Sequence, residues 1–127
     1  MAHQISNIRI IREFETAVRA FPGVTRFITI VGAMPDIDMA GGEEYSEIYT
    51  CQIGPVLKED EFVGASSLPS IGRLEPSSLE GAQCVIESSD AQWVESSGQV
   101  ELRVHVSAAG GAARVQILFS VTILAAG

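Results

Sequence analysis

The stretch 99–124, QVELRVHVSAAGGAARVQILFSVTIL, decides the fold. In its first half Val100, Leu102, Val104 and Val106 alternate with Glu101, Arg103 and His105. In its second half Val115, Ile117, Phe119, Val121 and Ile123 alternate with Gln116, Ser120 and Thr122. Successive side chains of a strand point to opposite faces, so each half predicts a strand with one buried face. Gly110-Gly111 between them supplies the positive φ angles of a tight turn, which predicts a long hairpin. With those two glycines as the turn residues, opposed positions sum to 221, setting Val106 against Val115, Val104 against Ile117, Leu102 against Phe119 and Val100 against Val121. Leu118 and Leu124 fall on the outward face and give it an apolar character that a covering element is expected to shade.

Upstream of this hairpin, Glu87-Ser88-Ser89-Asp90 and Glu95-Ser96-Ser97-Gly98 echo one another at a spacing of eight residues and read as two turns of a meander. The segment 54–81 contains Pro55, Pro69 and Pro76 with the pairs Ser66-Ser67 and Ser77-Ser78, a composition that predicts a long loop with at most a short strand near Phe62. Such a loop is expected to carry function or to be ordered by a partner. In 24–53, the runs TRFITIV and YSEIYTCQI are β-branched and aromatic and predict strands. At the N-terminus, Ile10, Ile11, Phe14, Ala17, Val18 and Phe21 fall within one arc of about 120° at helical spacing. Ser6 suits an N-cap and Pro22-Gly23 a stop, so an amphipathic helix or arm is expected over 1–23. The expected fold is thus a single α+β or mainly β domain spanning 1–127. The N-terminal helix precedes five to seven antiparallel strands in a sandwich or partly open barrel, and 82–127 forms a meander and the closing hairpin.

The charge is unevenly spread. Sixteen acidic against eight basic residues give a net charge of −8, which disfavours nucleic acid and anionic lipid as partners. Residues 1–26 carry +2 from Arg9, Arg12, Arg19 and Arg26 against Glu13 and Glu15, which leaves −10 on the remainder. The uncharged stretch 115–127 is 13 residues long and includes Gln116, Ser120 and Thr122, too short and polar for a membrane helix. The first fifteen residues offer no signal-peptide core, so the expected location is the cytoplasm, or a particle assembled there. In that reducing setting Cys51 and Cys84 are expected as unpaired thiols.

Few residues suggest chemistry. Counting Asp36 as position 1 places Asp38 at 3, Gly41 at 6 and Glu47 at 12, the spacing of a calcium loop, but position 5 is Ala40, which offers no side-chain oxygen. An acidic turn explains the same residues. His105 lies beside Glu101 and Arg103 on an outward strand face, where solvent exposure alone accounts for alternating charge. Neither a catalytic constellation nor a cofactor fingerprint emerges, so no cofactor or metal is expected and enzymatic activity is disfavoured. The interface candidates are Arg9, Arg12 and Arg19, read as one helix face, with Leu118 and Leu124. These favour a non-catalytic, self-associating homo-oligomer of the shell, tail or coat type, including a virion component. The alternative is a small barrel binding an apolar small molecule, as an isomerase or cyclase, with Tyr45, Tyr49 and Trp93 lining its pocket. A calcium-dependent binding module built on Asp36, Asp38 and Glu47 is the second alternative.

Overall fold

The computed structural model describes residues 2–20, 23–38, 45–76, 83–109 and 112–126, and among them it holds nine strands and no helix. The first sheet contains β1 (Ala2–Gln4), β5 (Tyr45–Ile53), β7 (Gln83–Trp93) and β8 (Val100–Ala109) in the order β1-β5-β8-β7. Its ladders are antiparallel except for that between β1 and β5. The second sheet contains β2 (Arg9–Ala20), β3 (Gly23–Ala33), β4 (Ile37–Asp38), β6 (Phe62–Pro76) and β9 (Ala112–Ala126). Since β6 pairs along the whole of β9, β3 and β4 share the opposite side of β9 end to end.

The alternating residues of 99–124 are buried as expected. Val100, Leu102, Val104 and Val106 from β8 and Val115, Ile117, Phe119, Val121, Ile123 and Ala125 from β9 form the centre of the core. The expected hairpin ladder, however, is absent. Val104 lies opposite Tyr49 and Ser89, and Ile117 lies opposite Ile71, so β8 and β9 belong to different sheets and meet face to face. Alternation specifies which face of a strand is buried without specifying which strand supplies its hydrogen bonds; two inward faces fit equally well side by side in one sheet or opposed across a sandwich. The glycines 110–111 lie outside the described residues.

The expected N-terminal helix is also corrected: 9–20 is strand β2, paired with β3 from Arg9↔Ala33 to Ala20↔Gly23. A β-bulge between Ile10 and Arg12 shifts the phase of the strand. Beyond it Arg12, Phe14, Thr16 and Val18 alternate with Glu13, Glu15, Ala17 and Arg19, a period of two that the bulge had disguised as helical spacing. Ile10, Ile11, Phe14, Thr16 and Val18 are β-branched or aromatic, which favours the strand.

The expected loop over 54–81 contains the 15-residue strand β6. Pro69 lies opposite Phe119 and Pro76 opposite Ala112, positions a sheet tolerates because β6 has only β9 as a ladder partner among the described strands. Bulges follow Phe62 and Ile71. Of the two serine echoes, Glu95 to Gly98 turns the chain from β7 into β8, with Gly98 at φ 72°, whereas Glu87 to Asp90 lies within β7 at a bulge.

No barrel closes. At one side β6 runs beside β7, with Ser67 Oγ 3.1 Å from Ser89 Oγ and the Phe62 and Trp93 rings stacked at 6.5 Å, but no ladder joins them. At the other side the chain crosses from β1 to β2 through Ile5 and Ile8, which pack on the core. Among the described residues no helix is long and apolar enough to cross a membrane.

Candidate functional site

The three carboxylates of the calcium spacing each meet a side chain from a different strand. Asp36 lies 2.8 Å from Arg73 Nη2 of β6, and Asp38 lies 3.2 Å from Arg114 Nε of β9. Glu47, on β5 in the other sheet, lies 3.0 Å from His3 Nε2 of β1. Residues 39–44, Gly41 among them, lie outside the described residues. No group of three or more potential metal ligands occurs among the described residues.

His105 Nε2 lies 2.7 Å from Ser46 Oγ, an exposed contact between the neighbouring strands β8 and β5. Cys51 is buried, and desolvation, reinforced by the Glu101 carboxylate, pushes its thiol up to about 12. Burial also raises Cys84. Both are free cysteines, and these shifts keep them protonated rather than nucleophilic at neutral pH.

The aromatic residues considered for a pocket are dispersed. Tyr49 is buried on β5 with the His3 ring stacked on it at 5.3 Å. Trp93 is half-buried on β7, where its indole N–H is shared by the Leu57 and Gly98 carbonyls, each at 3.1 Å. The side chain of Tyr45 lies outside the described residues. A cleft of about 330 Å³ does exist, between β2, β3 and the end of β5. It opens to solvent and is walled by residues such as Ile8, Ile10, Glu13, Ile30, Gln52 and Gln99, with neither Tyr49 nor Trp93 in its wall.

The exposed apolar surface is more coherent. β2 pairs with β3 alone, so among the described strands its other edge has no ladder partner for its backbone groups. Every side chain from Arg9 to Arg19 is exposed, including Ile10 (44%), Ile11 (52%), Phe14 (46%) and Val18 (45%). The registers place Phe14, Thr16 and Val18 on the outward face of the sheet with Phe27 of β3 and Leu118 and Leu124 of β9. Leu118 and Leu124 are half-buried there, and Leu68 of β6 adds a side chain that is 76% exposed.

The three arginines do not share one face. Arg9 and Arg12 lie on the outward side and Arg19 on the inward side, because β2 is a strand. The Arg12 guanidinium sits over the Phe14 ring at 5.4 Å. Ile10, Ile11, Phe14 and Val18, read in sequence as the buried stripe of a helix, form the exposed part of this site. Their β-branched and aromatic character was the available signal.

The fold and this site define a two-sheet β-sandwich with a long, apolar open edge. No family model, curated protein or solved structure matches the chain.

Proposed function

We propose that this chain is a non-catalytic, self-associating structural subunit, of the kind that builds a shell, tail or coat, and that it is incorporated into a particle assembled in the cytoplasm. The observation that carries this reading is β2: a 12-residue edge strand with exposed apolar side chains and only one ladder partner among the described strands. Unpaired strand edges are templates for another strand, and monomeric proteins usually keep them short or cover them. Phe14 and Val18 leave nearly half of their surfaces in water, so covering them contributes on the order of 1 kcal/mol per side chain. The backbone hydrogen bonds of a new ladder supply direction. The charge of −8 opposes close approach between copies except where the arginine-bearing N-terminal segment makes the contact.

Light scattering on the purified protein at tens of micromolar tests the proposal. The expected result is a mass of at least twice 13.5 kDa, and a monodisperse monomer overturns it.

A further inference from the structure

We infer that two copies of the chain join through β2, antiparallel about a two-fold axis at Thr16, so that opposed residue numbers sum to 32. This rests on the self-association proposed above and names its contact. In a continuous antiparallel sheet, opposed residues project from the same face, so in a two-fold β2 pair the sum must be even. Only a few such registers overlap the regular part of the strand beyond the bulge at Ile11.

Their side chains distinguish them. A sum of 26 sets Glu13 against itself and Arg12 against Phe14, a sum of 28 sets Glu13 against Glu15, and a sum of 30 sets Glu15 against itself. A sum of 34 opposes Glu15 to Arg19, but Glu15 already lies 3.3 Å from Arg26 within its own chain, and Phe14 then meets only Ala20. The sum of 32 opposes Glu13 to Arg19 twice on the inward face and Phe14 to Val18 twice on the outward face, with Thr16 on the axis. Neither Glu13 nor Arg19 makes an ion pair with another described residue, so both remain available to a partner. Opposite charges and aromatic–β-branched pairs are the favourable cross-strand combinations, and here each occurs in duplicate by symmetry. The overlap runs from 12 to 20, and the contact merges two five-stranded sheets into one.

Cysteine cross-linking and charge exchange test the register. In a Cys84→Ser background under mild oxidation with oxidised glutathione, Thr16→Cys places two thiols on directly opposed positions, within disulfide reach. Val18→Cys leaves its twin four residues out of register. The expected result is a covalent dimer for Thr16→Cys and none for Val18→Cys. Glu13→Arg and Arg19→Glu singly are expected to raise the dimer dissociation constant about tenfold, and the two together to restore it. An oligomer that cross-links at Val18 rather than Thr16, or that ignores the charge exchange, overturns this register while leaving self-association standing. A monomer throughout overturns both.

Discussion

Gly32 occupies a position where a methyl group does not fit. A Cβ there would lie 2.7 Å from the Arg9 carbonyl oxygen and 2.7 Å from Phe119 Cζ, one fixed by the β2–β3 ladder and the other by the core. Glycine therefore lets β2 approach the sheet over the largest fully buried side chain. Gly32→Ala is expected to cost about 1–3 kcal/mol through overpacking, read from the urea midpoint at unchanged slope. Cys51 makes a second residue-level prediction. Burial pushes its thiol up to about 12 in the folded chain, against 9.0 for a thiol in water, so the folded state binds more protons between those values. Stability is accordingly unaffected below pH 9 by this group and falls as pH rises from about 9 toward 12. Cys51→Ala is expected to flatten that alkaline decline in chemical denaturation. A decline equally steep in the variant contradicts the assignment.

At the scale of elements, β2 is a 12-residue strand whose side chains from Arg9 to Arg19 are all exposed, and its sequence fits helical and strand spacing alike. Phe14→Lys is expected to change the stability of the isolated chain by no more than about 1 kcal/mol, since nearly half of the side chain is already in water, while weakening association measurably by sedimentation velocity. A large loss of monomer stability contradicts the exposure of this face. The inward faces of β8 and β9 were legible because strict alternation over nine or more residues has only one burial solution. Their assignment to opposite sheets was not, since it depends on which distant strands, β5, β7, β3 and β6, compete for their edges. β2 misread because one bulge turns a period of two into spacing that resembles 3.6, and β6 because its prolines sit where an edge strand can accept them. For the site, the arginines and Leu118 and Leu124 stood out in sequence, while the adjoining apolar residues of β2 were assigned to a buried stripe.

For the whole molecule, the core between β8 and β9 and the apolar edge at β2 have opposite consequences: the first is buried from water, and the second leaves a strand edge without a ladder partner among the described strands. The proposed association through β2 would add a strand where hydrogen-bonding groups already point outward and would cover Phe14 and Val18, without altering either sheet. In that association the +2 of residues 1–26 against the −10 of the rest would contribute orientation and salt sensitivity more than affinity, because exposed pairs are worth only about 0–1 kcal/mol each. Amide hydrogen exchange measured across a dilution series tests self-association through β2 most directly. Alternate amides of 12–20, those facing away from β3, are expected to become protected as the protein concentration rises, while the amides of β8 and β9 stay protected throughout. Exchange along β2 that is fast and independent of concentration would contradict the proposal.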